Sequence, residues 1–230
     1  MDGYTRYAVY FAPPPGPLAE FGAAWLGRDA ESGRNLTHMP VRGLPRPAAE
    51  LVAAPRKYGF HGTLKPPFRL AEGHEVTGLH TALQALAGQL HRVRIEAGLE
   101  LAHMGGFVAL VPAGPAPELE TLAARLVESL DGFRAPLSDA ERARREESGL
   151  TPAQAALLDR WGYPYVMEAF RFHITLTGRL PEDEAAAVIA ALEPHLAGRL
   201  PAPFRIDDIC LFGEGQDGLF RNLHRYRLTG

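Results

Sequence analysis

Arg56–Leu70 reads RKYGFHGTLKPPFRL, and 112 positions beyond its histidine (173 − 61 = 112) the chain writes nearly the same thing again, as EAFRFHITLTGRL over Glu168–Leu180. Both stretches carry Phe-His-x-Thr-Leu. Aromatic and β-branched residues around a period of two predict a strand in each. Side chains alternate across a strand, so Gly59, His61, Thr63 and Lys65 share one face, with Phe60, Gly62 and Leu64 on the other. In the second copy Arg171, His173, Thr175 and Thr177 share a face, opposed by Phe172, Ile174 and Leu176. Each strand is therefore expected to turn an apolar face to a core and a histidine, a hydroxyl and a cation the other way.

The surroundings repeat as well. YTRYAVYFAP reads as a strand and GPLAEFGAAWLG as a short helix closed by Gly27, ahead of a long Pro-, Gly- and Arg-rich loop to about residue 55. After the first motif, Val76, Leu79, Leu83, Leu86 and Leu90 fall on one helical face. RVRIEAGLEL and GGFVALVPA then read as two strands around Gly105-Gly106. In the second half Leu119, Leu122, Leu126 and Leu130 mark an amphipathic helix, and PEDEAAAVIAALEPHLAG a helix with acids at its positive end. FRIDDICLF and LFRNLHRYRL close the chain as strands around GEGQDG, which lacks the Lys-Ser/Thr of a phosphate-binding loop and is expected to be a hairpin turn. From His61 to Ile95 is 34 positions (95 − 61) and from His173 to Ile206 is 33 (206 − 173), with Arg-Ile-acid at both places. The expectation is one bilobal domain over 1–230, pseudo-repeated over about 4–106 and 107–230, with the two histidines meeting across a cleft. About 137–161 breaks the pattern as a helical insertion, opened by the capping boxes Ser138/Glu141 and Thr151/Gln154.

Bulk properties narrow the functional classes. The chain has 230 residues, 46% hydrophobic and 22% charged, with a net charge of −3. That is an ordinary globular balance and not the basic surface of a nucleic-acid coat protein. No run approaches the ~18 apolar residues of a membrane span. Cys210 is the one cysteine, so no internal disulfide can form, and a reducing, cytoplasmic setting is expected. MDGYTRYAVYF has no basic region followed by a long apolar run, so no secretory leader is expected.

Two histidines, two hydroxyls and nearby cations suit phosphodiester cleavage. One neutral imidazole takes a proton from the attacking hydroxyl or water, and one imidazolium gives a proton to the leaving oxygen. Both tasks fit a group that titrates near pH 6.5. Hydroxyls and cations hold the non-bridging oxygens as charge builds. A metal site is the rival reading, but no carboxylate or cysteine stands beside either histidine at ligand spacing, and threonine is a poor ligand. For either histidine alone the bland reading is a buried, hydrogen-bonded ring; two matching motifs weigh against it.

Paired His-x-Thr-Leu motifs in a duplicated chain resemble the 2H phosphoesterase superfamily, which includes the 2′–5′ RNA ligase-like proteins and the cyclic phosphodiesterases. The resemblance covers nearly the whole chain in element order. It implies an α+β fold with antiparallel sheets around a central cleft and helices outside, and metal-independent chemistry on 2′,5′- or cyclic phosphodiesters without a cofactor. YGFHGTLKPPF and FRFHITLTGRL are further similar to a bacterial branch associated with phosphonate operons. That likeness implies a small 2′,3′-, 1,2- or similar cyclic phosphodiester as substrate. The alternatives are an RNA substrate and a non-catalytic nucleotide- or phosphate-binding module of the same fold. The expected site is His61 and His173 as the acid–base pair, with Thr63, Thr175, Lys65 and Arg171 on substrate oxygens.

Overall fold

The computed structural model describes residues 3–147 and 149–230. The fold is α+β. In chain order it runs β1 (Arg6–Phe11), α1 (Pro17–Leu26), α2 (Ala48–Leu51), β2 (Gly62–Phe68), α3 (Val76–Ala87), β3 (Val93–Ile95), β4 (Leu99–His103) and β5 (Val108–Pro112). It continues with α4 (Pro117–Ser129), α5 (Asp139–Glu146), α6 (Pro152–Trp161), β6 (Ile174–Thr175), α7 (Glu182–Leu196), β7 (Phe204–Ile206), β8 (Asp208–Glu214) and β9 (Phe220–Arg227).

Seven strands form one antiparallel sheet in the order β4-β5-β6-β2-β1-β8-β9, and β3 pairs with β7 in a separate ribbon. With β9 set aside, the order is β4-β5-β6 against β8-β1-β2, two like halves that meet where β6 and β2 pair. The two Arg-Ile-acid triplets face one another in the ribbon, with Arg94 opposite Arg205. Each arginine is neutralised by the acid two residues on, Glu96 or Asp207.

Alternation along β1 shows how the sheet is sandwiched. Tyr7, Val9 and Phe11 enter the main core with Leu64, Ile174 and Leu211 and with the apolar stripes of α1, α3, α4 and α7. Ala8, Tyr10 and Ala12 point the other way and pack with Cys210, Phe212 and Phe220. The helices therefore cover one face of the sheet, and Tyr10, Cys210 and Phe212 pack together on the other. Both capping boxes of the insertion form, Ser138 with Glu141 and Thr151 with Gln154. α5 buries none of its side chains, while Leu157 of α6 packs with Val127 and Val166.

Two expectations are corrected. RVRIEAGLEL is not one strand, because the chain turns at Gly98 (φ 76°) and sends β3 and β4 into different sheets. The second motif gives only the two-residue β6, and both histidines sit just ahead of their strands. The short β6 is held from both sides, by β2 and β5.

Each histidine follows a phenylalanine that locks into a glycine. Phe60 lies over Gly22 of α1, and Phe172 lies over Gly62 of β2 so closely that a methyl at Gly62 would overlap its ring. Gly62→Val therefore forces the two central strands apart. The expected cost is about 1–3 kcal/mol, read by denaturant unfolding. Unchanged stability would contradict this packing.

Candidate active site

Gly62 pairs with Ile174 across the antiparallel β2–β6 junction. Extending that register one residue each way sets His61 opposite Thr175 and Thr63 opposite His173. The four side chains then share one face of the sheet as a two-by-two block, with each histidine beside the other motif's threonine. Neighbours of this kind have Cβ atoms ~4.5–5.5 Å apart and diagonal partners ~7–8 Å, which places the two histidines on the diagonal of the block. His61 feels the positive charge of His173, a second sign that they share a site.

Both rings are held by the same local device. His61 Nδ1 donates to the carbonyl of Gly59 (2.9 Å), and His173 Nδ1 to the carbonyl of Arg171 (2.8 Å), each two residues upstream. A carbonyl can only accept, so Nδ1 carries the proton in the neutral ring and Nε2 is left as the basic nitrogen. His61 Nε2 accepts from the Thr63 hydroxyl at 3.1 Å. Gly59 turns its carbonyl into place from the left-handed region (φ 83°).

Aromatic walls surround the rings. Tyr10 stacks on His61 at 3.9 Å between centroids, Tyr58 lies 5.8 Å from His61, and Phe107 lies 5.4 Å from His173. His61 is 9% exposed and His173 is half-buried. Burial disfavours the charged imidazole, so His61 is lowered to about 4 and His173 is also lowered. These aromatic partners were missed in reading the sequence. A trace of Tyr10 was there, an aromatic flanked by Ala8 and Ala12 on one strand face.

The expected cations lie elsewhere. The β1–β2 pairing is irregular at Val9, which takes Lys65 as its partner while Tyr10 takes Thr63. Past this irregularity Lys65 reaches toward the helices: its ammonium donates to the Val127 carbonyl at 3.1 Å and sits 5.1 Å over the Phe68 ring, at 2% exposure. Arg171 is exposed and donates to the carbonyls of Glu168 and Phe170. Thr177, on the same strand parity as Thr175, is buried and accepts from the Val108 amide. Among the described residues no cluster of three or more His, Cys, Asp or Glu side chains could hold a metal, and no helix is long and apolar enough to cross a membrane.

Residues 63–221 match a family described as a protein of unknown function, DUF1045. Two curated relatives are both named ribose 1,5-bisphosphate phosphokinase PhnN. The one from Janthinobacterium sp. (strain Marseille) is 38% identical over 223 residues, 94% of this chain and 49% of the relative. The one from Laribacter hongkongensis (strain HLHK9) is 37% identical over 214 residues, 93% and 49%. The chain thus spans about half the length of the curated relatives it matches. Among solved structures, it aligns with a phosphoesterase at 17% identity and a TM-score of 0.42, over 98% of this chain and 99% of the other. It also aligns with E. coli LigT complexed with phosphate, at 17% identity and a TM-score of 0.43, over all of both chains.

Proposed function

The chain belongs to the DUF1045 family, and from that premise we propose that it is a 2H-type phosphodiesterase that opens a small cyclic phosphodiester without a metal or cofactor. The observation that carries this reading is the two-by-two block of His61, Thr63, His173 and Thr175, in which both Nδ1 atoms are tied to carbonyls. Nε2 of one imidazole takes a proton from water as its oxygen attacks phosphorus. Nε2–H of the other protonates the leaving ring oxygen as the P–O bond breaks, and the product is a phosphomonoester. Thr175 donates to a non-bridging oxygen, and Thr63 does so once the bound phosphate draws its hydroxyl proton away from His61 Nε2. Lys65 and Arg171 are committed to backbone carbonyls outside the block, so neither is given a part in holding the phosphate. The two halves are alike, so either histidine can be base or acid.

The curated relatives are named for a ribose bisphosphate, which supports a ribose cyclic phosphate, 1,2- or 2′,3′-linked, as the substrate within phosphonate metabolism. The kinase activity in their name is not carried over, because the chain matches only half their length. A panel of ribose and nucleoside cyclic phosphates, assayed with EDTA present, tests the proposal. Turnover of a ribose cyclic phosphate undiminished by EDTA is expected. Binding without turnover across the panel would favour the non-catalytic module, and activity lost with a bound metal would overturn the mechanism.

The pH profile is a sharper check. Catalysis needs one ring neutral and one protonated, and kcat/KM reports the free enzyme. Burial lowers both histidines below 6.5, so the singly protonated form peaks on the acid side of that value. The expected profile is a bell with its maximum below pH 6.5 and a fall approaching tenfold per pH unit on the alkaline limb. An optimum at pH 8 or above would contradict it.

A further inference from the structure

The chemistry proposed for the histidine block builds negative charge on a phosphate, yet the cations first expected there are turned away. Lys65 reaches toward α4, and Arg171 bonds to carbonyls of its own loop. Arg6, on the same face of β1 as Tyr10, holds both carboxylate oxygens of Glu214. A phosphate between the two histidines would gain from a positive group with no such commitment.

Lys57 has none. It lies directly ahead of Tyr58 in the segment that leads to His61. Its ammonium sits 4.6 Å from the centre of the Tyr58 ring, and that ring is 5.8 Å from the His61 ring. The charge is therefore one aromatic ring away from the imidazole. Among the described residues no carboxylate pairs with it and no acceptor holds it by a hydrogen bond. Its charge also reaches Glu214, which follows Cys210 and Phe212 along the histidine face of β8. Burial raises the Glu214 carboxyl, but Arg6 and Thr5 outweigh that, and Lys57 lowers it further. Arg6 and Glu214 neutralise one another, which leaves the Lys57 charge uncompensated on this wall.

A lysine with only water to satisfy extends away from the surface. Lys57 is instead half-buried, with its ammonium held over the ring. A ring face holds an ammonium more weakly than a phosphate oxygen does. The flexible four-carbon stem can carry the charge from one to the other. We propose that Lys57 is a catalytic residue of the histidine site: its ammonium leaves the Tyr58 ring and donates to a non-bridging oxygen of the bound phosphodiester as water adds to phosphorus. The proton transfers stay with the two histidines, and Lys57 keeps its proton throughout. This inference rests on the phosphodiesterase reading.

Kinetics on phosphorothioates test it, because sulfur in place of a non-bridging oxygen accepts hydrogen bonds weakly. The substrates are the cyclic phosphate turned over in the panel and its Rp and Sp phosphorothioate forms. Lys57→Met should melt close to the native chain and lower kcat/KM on the oxygen substrate roughly 10²–10³-fold, the usual cost of one donor lost from a developing anion. Lys57→Arg should recover most of that loss. The ratio of the Rp and Sp rates should shift about tenfold or more in Lys57→Met, the worth of a charge-assisted hydrogen bond to one particular oxygen. A structural role would slow both diastereomers alike. An unchanged ratio, or a Lys57→Met chain that keeps the native rate, overturns the proposal. If the native chain turns over no member of the panel, the phosphodiesterase reading fails, and titration with inorganic phosphate decides Lys57 by itself. Affinity lowered roughly tenfold in Lys57→Met and restored in Lys57→Arg supports the contact. Equal affinity in native and Lys57→Met chains, or no binding to either, overturns it.

Discussion

His61→Ala and His173→Ala each lower kcat/KM on a ribose cyclic phosphate by roughly 10²–10⁴-fold, the usual worth of one acid–base group. The double variant is little worse than either single one, because two groups that act in one proton relay are not additive. Stability separates the two. His173 is half-buried, so His173→Ala should unfold close to the native chain. His61 is stacked on Tyr10 and bonded to the Gly59 carbonyl in a buried position. Its removal leaves that carbonyl unpaired and a gap beside the tyrosine, at a cost of about 1–3 kcal/mol. Paired kinetics and thermal unfolding on the same preparations read both effects. A folded His61→Ala or His173→Ala chain that keeps its full rate would remove that histidine from the mechanism.

Lys65→Met should change how stability depends on pH. Burial is the main cause that lowers the Lys65 ammonium to about 8, with Arg134 pushing the same way and Asp131 opposing. In the unfolded chain it titrates near 10.4. Below pH 8 the group is protonated in both states, so the folded state bears the full cost of a buried charge. That is about 3 kcal/mol for a difference of this size. As pH rises from 8 to about 10.4 the folded state releases its proton first, and stability rises. Lys65→Met has no such proton. Other titrating groups are common to both chains, so the stability of native minus variant should climb by up to about 3 kcal/mol across that window. At pH 7 the variant should be as stable as the native chain or more so, since an apolar replacement for a buried charge is often neutral or stabilising. Parallel unfolding curves from pH 7 to 10.5 provide the comparison, and a flat difference would show that Lys65 is not held as a buried ammonium.

Much of the site could be read from local pattern. Phe-His-x-Thr-Leu at 61 and 173, with a period of two around it, separates a polar face from an apolar one without any knowledge of partners. The capping boxes at Ser138 and Thr151, the stripe of Val76, Leu79, Leu83 and Leu86, and the Gly105-Gly106 turn are likewise decided within a few residues of themselves, and each forms. Parity misled where the ladder was irregular. The β1–β2 mismatch at Val9 turned Lys65 away from the face that simple alternation assigns it. Gly98 divided a stretch whose residues all favour strand.

The local pattern of the chain determined which residues are candidates for the chemistry, the alternation that puts each histidine and its threonine on one side, and the order of elements around them. Tertiary structure decided that β2 and β6 are hydrogen-bonded neighbours, that Gly62 meets Ile174 so that each histidine lies beside the other copy's threonine, and that Tyr10 closes over His61. It also buried Arg28, with its guanidinium on the Phe220 carbonyl. The reason is one of range. Alternation and capping arise from dihedral angles and hydrogen bonds between residues a few positions apart. Register between strands 112 positions apart (173 − 61) is fixed by what the whole core can bury at once, since a slip of one residue would put the two histidines on opposite faces of the sheet.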